Sequence, residues 1–545
     1  MHNAFFSQSN KVSKALFLGL TFILLLGIGV SLYKDFNISS DEQIERSNGV
    51  ISLLYIGDLF KIGRITSEPD MASHRYLGSL DQWKDRDYPV GFNLPAVVIE
   101  KLLKLNDERK IYFLRHLLTY LTCLLGSYAI FRLAERRFSD WRIGLLALIF
   151  FTLSPRFFAE SFYNSKDLVF LAFFALGMNS MIEFILHPRV KTALLFSLVT
   201  ALAINIRIMA IILPIVTLTV IYLQVLRKER NFFESIQYYG IYLLFGSILT
   251  IAFWPWLWAN PWLRFVEAFS NMAKFRWDGD MLYLGSLVRS SNLPWHYIPV
   301  WIGITTPFLY LILSAIGMVA VLKNLLNCGS RLWQTNADLQ DLIFLGLFIA
   351  PIAAVILMKS ILYDGWRQMY FIYPAFLLIA IRGWVLVWSW TQQQTRGQKI
   401  YQAFIATVLC VSLSSTALWM IQSHPIQNIY FNFLAGKNWK DNFDVDYWGL
   451  SNRLALEYIA DHDPRPLINI DQGSFSNPGL ALKIISPERR ARIKLLERND
   501  CCIKGDYLIT NFRLDKANYS QYPNLSLFHS IEVGNEPIMA IYKRD

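Results

Sequence analysis

Runs of apolar residues about as long as a bilayer is thick constrain this chain more than any other feature. Of its 545 residues, 54% are hydrophobic and 17% are charged, whereas a soluble protein carries charge on about a quarter of its residues. An α-helix of about 20 apolar residues crosses the hydrocarbon core of a membrane. The pattern predicts a polytopic membrane protein with about eleven spans, at residues 15–32, 111–131, 142–155, 167–186, 192–207, 208–226, 237–256, 298–322, 340–358, 369–389 and 401–421.

Positively charged residues predict the orientation of these spans. Lys11 and Lys14 precede the first run, and no convincing cleavage site follows it, so we expect an uncleaved helix with a cytoplasmic N-terminus. Every alternate short loop, on the side of that N-terminus, is basic, as the positive-inside rule requires. Much of the net charge of +11 lies there, so it does not indicate a nucleic-acid partner. These loops contain Arg132, Arg136, Arg137, Arg189, Lys191, Arg227, Lys228, Arg230, Lys323, Arg331, Arg396 and Lys399.

The remaining segments are predicted to face outward. The first, residues 34–110, holds an amphipathic run from Ile44 to Leu59 with Arg46 and Asp58 on its polar face, which predicts helices lying in the membrane interface. After residue 421 the composition becomes mixed, and strand-like runs predict a small α/β domain. The predicted fold class is therefore an all-α polytopic membrane protein, residues 1–421, with a C-terminal α/β domain, residues 422–545, on the outer face. The other outward segments are 154–167, 259–297 and 362–367.

Two acidic positions lie where outward segments meet helices. Ser39-Ser40-Asp41-Glu42 is a good helix N-cap, but a carboxylate at the mouth of a lipid-facing cavity can also take a proton from an acceptor hydroxyl. Asp167 directly precedes an apolar run, where the helix dipole favours an acid. It is also placed to be a second acid of the cavity that Asp41 overlooks. For both positions the structural and the chemical interpretations stay open.

Outward-facing cations are candidates for binding an anion. The positive-inside rule makes such cations less expected, and the phosphate of a lipid-linked substrate is their natural partner. The alternative is that the long side chains reach along apolar surface toward lipid headgroups. Arg207, beside Asn205 at a span end, is either a functional-site residue or part of a re-entrant kink. The candidates are Arg75, Lys84, Arg86, Arg156, Lys166, Arg276 and Arg367.

The short outward turn between two late spans reads Tyr363-Asp364-Gly365-Trp366-Arg367. Tyr363 or Trp366 would stack on a sugar ring, and Arg367 would bind its phosphate. A tight Asp-Gly turn beside an interfacial tryptophan is the structural alternative. The five cysteines form no CxxC motif, and Asp441, Asp444 and Asp446 lack the spacing of a calcium loop. We therefore predict no metal site and no cofactor, although a divalent metal is not excluded.

The order of these features resembles the polytopic GT-C glycosyltransferases over residues 12–421. The closest branch is that of the protein O-mannosyltransferases and aminoarabinose transferases, which use polyprenyl-phosphate sugars. The resemblance rests on the first span, the long outer loop that opens with Asp41-Glu42, and the acidic loop that ends in Asp167. The stretches 362–373 (LYDGWRQMYFIY) and 446–449 (DYWG) also resemble bacterial members of this superfamily.

This resemblance implies roles for individual residues. Asp41 would be the catalytic base, Glu42 would support it, and Asp167 would be the second acid of the cavity. Lys84 or Arg86 would contact the donor phosphate. The remaining predicted donor-binding residues are Arg156, Lys166, Tyr363, Asp364, Trp366 and Arg367.

The predicted function is transfer of a sugar from a polyprenyl-phosphate donor to a lipid, polysaccharide or protein acceptor. The predicted location is the extracytoplasmic face of a bacterial inner membrane, among membrane lipids. A phosphate leaving group needs no nucleotide, and the sequence has no G-x-G-x-x-G motif between a strand and a helix. The alternative is a transporter or lipid flippase, whose usual marks are intramembrane charges and broken helices. A non-catalytic assembly protein is a third hypothesis.

Overall fold

The computed structural model describes residues 2–273, 277–394, 397–496, 503–515, 519–522 and 524–545. Arg276, Arg396, Cys501 and Cys502, which were considered from the sequence, lie outside the described residues. The first α-helices along the chain are α1 (His2–Leu32), α2 (Ser40–Leu59), α3 (Gly63–Thr66), α4 (Pro69–Ser73), α5 (Asn93–Leu102), α6 (Glu108–Phe138), α7 (Trp141–Thr152), α8 (Pro155–Tyr163), α9 (Asp167–Leu186), α10 (Val190–Ile204), α11 (Ile212–Leu226), α12 (Phe232–Phe253) and α13 (Pro261–Ala273).

The rest of the chain adds further helices and all of the strands. The helices are α14 (Tyr297–Thr305), α15 (Phe308–Cys328), α16 (Asn336–Leu357), α17 (Tyr373–Gln392), α18 (Gln398–Gln422), α19 (Trp439–Asn442), α20 (Ser451–His462), α21 (Gly479–Leu482) and α22 (Pro487–Arg492). The strands are β1 (Asp280–Tyr283), β2 (Ser286–Arg289), β3 (Ile468–Gln472), β4 (Ile493–Leu495), β5 (Tyr507–Thr510), β6 (Leu525–Val533) and β7 (Glu536–Arg544).

The apolar helices make this an integral membrane protein. Within the described residues, nine helices are long and apolar enough to cross a membrane, and the count is ten if α7 and α8, bent by 72°, form one span. Helix α10 is apolar but has 15 residues. Each of the predicted runs overlaps one of these helices, so the predicted fold class is confirmed. In the described part of the chain, nine or ten helices qualify as spans by length and composition, where the sequence pattern predicts about eleven.

Two glycines bring α15 and α17 into close contact. A Cβ atom at Gly317 would lie 2.0 Å from the carbonyl oxygen of Ile379, and one at Gly383 would lie 2.0 Å from that of Leu313. Small residues allow helix backbones to approach in this way within a membrane. Helix α17 follows directly on the 3₁₀ turn Arg367–Ile372. The tight α15–α17 contact therefore helps to fix the position of that turn.

Helix α2 differs from the predicted interfacial helix on its polar side. Arg46 was expected on a solvent-facing surface, but it is buried, and its Nε lies 2.9 Å from Oε2 of Glu100 on α5. Asp58 is exposed, as expected, and pairs with Arg75 at 2.8 Å. Arg46 is buried because α2 packs against α5, and the buried carboxylate of Glu100 compensates its charge.

The C-terminal part contains a five-stranded mixed sheet in the order β4-β3-β5-β7-β6. Strand β3 pairs in parallel with β4 and β5, while β7 pairs antiparallel with β5 and β6. Apolar residues of α20 pack on one face of this sheet, among them Leu456 and Ile459 against Ile470 and Ile541. The strand-like runs of the sequence in this region, residues 467–470 and 540–542, lie largely within β3 and β7. The division of the chain near residue 421 stays a prediction.

Candidate active site

Asp41 and Asp167, far apart in sequence, meet on one arginine. Nη1 of Arg367 lies 2.6 Å from Oδ2 of Asp41 and 3.2 Å from Oδ2 of Asp167. Arg367 and Asp167 are 2% and 1% exposed, whereas the side chain of Asp41 is 30% exposed. Among these three groups, the Asp41 carboxylate is therefore the most exposed.

The two acids are held at the starts of helices. Asp41 lies in the first turn of α2, where Glu42 completes the cap by accepting a hydrogen bond of 2.8 Å from the backbone N–H of Ser39. Asp167 begins α9, and its own N–H donates to Oδ1 of Asn164 at 2.8 Å. Both carboxylates therefore occupy the electropositive end of a helix, where a negative charge is stabilising.

Glu42 is turned away from Arg367. Its side chain is fully buried, bonded to the Ser39 backbone and 3.2 Å from Nε2 of His116 on α6. The cap interpretation of Ser39 to Glu42 is thus confirmed, and the place of Glu42 near the site is behind Asp41. Its predicted supporting role can act through the orientation of the first turn of α2.

Arg367 lies between acids and aromatic rings. Its Nη2 is 3.4 Å from Oδ2 of Asp364, and its Cζ is 4.8 Å from the ring centre of Tyr363. The ring of Trp448 lies 5.2 Å away, in the DYWG stretch of the C-terminal region. Its Nε has no hydrogen-bond partner among the described residues. A planar guanidinium stacked on rings in this way keeps donors available for a further oxygen ligand.

The turn before Arg367 has the geometry of an Asp-Gly turn. Asp364 and Gly365 both have positive φ angles, 55° and 77°, a conformation that aspartate tolerates and glycine favours. Tyr363 lines a cavity, but Trp366 does not reach it. Trp366 is 1% exposed, donates a hydrogen bond of 3.0 Å from its indole N–H to Thr305, and packs against buried rings. The structure therefore does not support the predicted sugar-stacking role of Trp366.

A cavity of about 300 Å³ lies beside these groups. Its lining combines polar and apolar side chains, and several of the apolar ones belong to α11 and α16. Arg207 lines the cavity and bonds through Nη2 to Oδ1 of Asp167, and Tyr363 lines it and stacks on Arg367. The polar lining consists of Tyr88, Lys166, Arg207, Ser360, Tyr363 and Gln368, and the apolar lining includes Ile212, Ile215, Phe269, Pro351, Ala354, Val355 and Met358.

Lys166 contributes a second cation to the cavity lining. Its Nζ lies 2.7 Å from Oε1 of Glu45 and 3.8 Å from the ring centre of Tyr88. Glu45 is buried, and its other oxygen accepts a hydrogen bond of 2.7 Å from Asn93. The ammonium group of Lys166 is therefore held in place by the buried carboxylate of Glu45. Sequence analysis missed Glu45, although it lies four residues after Asp41 on the same helix and so on the same helix face.

The charges around Asp41 determine its ionisation. Burial opposes the charged form, but the positive charges of Arg367, Lys166 and Arg207 outweigh that effect and lower the pKa of the Asp41 carboxyl. A lowered pKa keeps this group ionised at neutral pH. It can therefore accept a proton there, and more readily once an anion takes up some of the neighbouring positive charge.

Three other predicted residues lie away from the cavity lining. Arg86 bonds to Glu267 on α13 at 3.2 Å, and Lys84 is exposed with its Nζ 5.9 Å from the ring centre of Trp83. Residues 79–88 form successive turns, so neighbouring side chains point in different directions. Arg156 is buried with its Cζ over the rings of Trp301 and Phe431, at 5.7 and 5.6 Å. Direct donor contacts by Lys84, Arg86 and Arg156 are therefore not supported by this geometry.

Part of the chain is similar to a known protein family. Residues 95–258 match the family described as dolichyl-phosphate-mannose-protein mannosyltransferase. The matched part runs from α5 to the end of the turn after α12, and so includes Asp167 and Arg207. It confirms the resemblance that the sequence features indicate.

A solved structure also aligns over nearly the whole chain. The crystal structure of ArnT from Cupriavidus metallidurans bound to undecaprenyl phosphate has 12% sequence identity and a TM-score of 0.47. The alignment covers 97% of this chain and 98% of that chain. No curated protein matches the sequence.

Proposed function

We propose that this protein is a membrane glycosyltransferase that moves a sugar from a polyprenyl-phosphate donor to an acceptor hydroxyl or amine. The observation that carries the proposal is the meeting of Asp41 and Asp167 on Arg367, beside a cavity lined by the cations Lys166 and Arg207 together with many apolar side chains. The family match supports it, because the description of that family names dolichyl-phosphate mannose, which is a polyprenyl-phosphate sugar. We place the reaction on the extracytoplasmic face of a bacterial inner membrane, with the N-terminus in the cytoplasm.

The cavity suits a lipid phosphate by its charge and by its apolar lining. Lys166 and Arg207 line the cavity, and the Arg367 guanidinium stacks on Tyr363, which also lines it. Charge-assisted hydrogen bonds from such groups to phosphate oxygens are strong, and a guanidinium can make two in parallel. The first isoprene units of the donor would lie against the apolar side chains of α11 and α16, which are part of the membrane region.

In the proposed reaction, Asp41 is the general base. The acceptor oxygen or nitrogen attacks the anomeric carbon, and its proton passes to the Asp41 carboxylate. The bond between that carbon and the phosphate oxygen breaks, and the electron pair leaves with the phosphate. Arg367, Lys166 and Arg207 stabilise the charge that develops on the leaving group. The acceptor is a lipid, a polysaccharide or a protein.

Donor binding would also change the basicity of the Asp41 carboxylate. In the structure Asp41 shares Arg367 with Asp167 at hydrogen-bond distance, and this pairing lowers its basicity. A donor phosphate that draws Arg367 toward itself would weaken the Asp41 pair and make the carboxylate a better proton acceptor. Asp167 would hold Arg207 and Arg367 in place, because it is buried between them.

The test is a transfer assay with purified protein in lipid vesicles and a labelled polyprenyl-phosphate sugar. Asp41→Asn should lower the transfer rate by about 10²–10⁴-fold, the usual contribution of a general base. Asp58→Asn is the matched control, because Asp58 lies on the same helix but is exposed and pairs with Arg75. Full activity in Asp41→Asn would reject the assigned base. Movement of intact donor across the vesicle, without transfer, would favour the transporter alternative.

A further inference from the structure

The C-terminal sheet region reaches the candidate active site through one loop. This loop, residues 511–515, follows β5 directly. Nη2 of Arg513 lies 3.1 Å from Oδ1 of Asp364, a residue 149 positions earlier in the chain. Asp364 is the same carboxylate that pairs with Arg367 through its other oxygen, at 3.4 Å.

The same loop also supports the aromatic side of Arg367. The side-chain amide of Asn511 donates to the backbone oxygen of Asp446 at 2.8 Å. Asp446 directly precedes Tyr447 and Trp448, whose rings lie 5.9 and 5.2 Å from the Arg367 guanidinium carbon. One loop of the C-terminal region therefore contacts Asp364, an acidic neighbour of Arg367, and Asp446, the residue that precedes its aromatic neighbours.

The charge balance gives Arg513 a specific consequence. Arg367 pairs with the carboxylates of Asp41, Asp167 and Asp364, so a single positive charge is shared among three acids. Asp167 has a second partner in Arg207, and Asp364 has one in Arg513. Since the Asp364 side chain is 8% exposed, loss of Arg513 would leave this buried charge dependent on Arg367. Arg367 would then stay paired with Asp364 and would be less available to bind any other anion.

We propose that Arg513 is a positioning residue of the active site. It neutralises Asp364, and it thereby leaves Arg367 available to the donor phosphate. This inference rests on the proposed function in one respect, that Arg367 binds a polyprenyl phosphate. It gives the C-terminal region a part in donor binding, through Asp364 and Arg367.

The test measures binding of undecaprenyl phosphate, without a sugar, to the full-length protein in detergent. Arg513→Gln should weaken binding by about tenfold, and Arg513→Lys should restore most of it. In the Asp364→Asn background, Arg513→Gln should weaken binding no further, because the charge to be neutralised is gone. Arg489→Gln is the control: Arg489 is in the same region, 2.7 Å from Asp461, and its loss should leave binding unchanged.

Two results would overturn the inference. One is unchanged binding in Arg513→Gln. The other is an equal loss from Arg513→Gln with and without Asp364→Asn, which would mean that Arg513 has only a folding role. If Arg513→Gln does not fold, undecaprenyl phosphate binding is compared between Arg513→Lys with and without Asp364→Asn instead. Binding that follows the prediction while the wild-type protein transfers no sugar would reject the proposed reaction and keep the role of Arg513.

Discussion

Replacing Asp167 with asparagine should reduce both stability and donor binding, while the same change at a matched buried aspartate should reduce stability alone. Asp167 is 1% exposed and pairs with Arg207 and, at 3.2 Å, with Arg367. The amide of asparagine can accept a hydrogen bond from one of them but supplies no negative charge. The guanidinium groups of Arg367, which is buried, and of Arg207, which is partly buried, would then have less negative charge beside them.

The size of the loss of stability depends on which of the two arginines loses more of its charge compensation. Removing one member of a buried ion pair typically destabilises a protein by about 3–5 kcal/mol. Arg367 keeps Asp41 at 2.6 Å, whereas the Nε of Arg207 has no partner among the described residues. The cost therefore falls mainly on Arg207, and we expect about 3 kcal/mol in the free energy of unfolding. We expect kcat/KM for the donor to fall about a hundredfold, or about 2.7 kcal/mol of transition-state stabilisation.

Asp341 is the matched control, because it is also a buried carboxylate between two arginines. Its oxygens lie 2.6 Å from Arg137 and 3.2 Å from Arg382. Arg137 is near the end of α6 that contacts the last turns of α9, whereas Asp167 begins α9. A helix of 20 residues is about 30 Å long. Asp341→Asn should therefore match the loss of stability and leave the site unchanged.

The assay compares both variants with the wild-type protein in detergent. Thermal unfolding reports stability, and undecaprenyl phosphate binding and sugar transfer report the site at a temperature where all three proteins are folded. Equal loss of donor binding in the two variants would refute the reasoning, since the effect would then follow from instability. Unchanged binding in Asp167→Asn would refute it as well.

Two further predictions concern charge near the site. Lys166→Gln should raise the KM for the donor about tenfold, the value of one charge-assisted hydrogen bond, and Lys166→Arg should restore part of it; equal KM values in all three proteins would remove Lys166 from the phosphate site. Burial raises the pKa of Asp444 to about 6, against the attraction of Arg513. The folded protein thus holds this proton more tightly than the unfolded chain, whose aspartate titrates near 3.8, so stability from this group is complete below about pH 4 and falls by about 3 kcal/mol as pH rises through 6. Asp444→Asn should flatten the Tm profile between pH 4 and 7, and an unchanged slope would contradict the assignment.

The sequence predicts most of the membrane architecture because the bilayer imposes it. Length, apolar composition and the basic loops are local properties, so the runs overlap the helices of the structure. The same regularity predicts which loops share a face. For that reason Asp41, Asp167 and Arg367 could be expected in one place, although they lie on three separate segments.

What the sequence does not predict is the direction of individual side chains in irregular segments. Trp366 follows a turn with two positive φ angles, which directs its ring into the packed interior. Lys84 and Arg86 lie among turns that send adjacent side chains apart. Arg46 is charged, yet it is buried because Glu100 lies on the helix that packs against it. Each of these outcomes depends on tertiary contacts that hydropathy does not record.

The contribution of Arg513 is the clearest case of a contact without a local signal. The residue lies in a loop of the C-terminal region, and its partner Asp364 lies between two apolar runs. Neither segment contains a pattern that refers to the other. Glu45 is different, because its spacing of four residues from Asp41 on α2 places both on one helix face. That spacing could have identified it.

An experimental map of the protein with undecaprenyl phosphate bound would test the proposed site most directly. We predict phosphate density within about 3–4 Å of the guanidinium of Arg367 and of Lys166 or Arg207, with the isoprene chain along α11 and α16. We also predict that the Asp41 carboxylate faces the open side of that phosphate. Phosphate density elsewhere in the protein, with Arg367 still paired to Asp41 and Asp167, would contradict it.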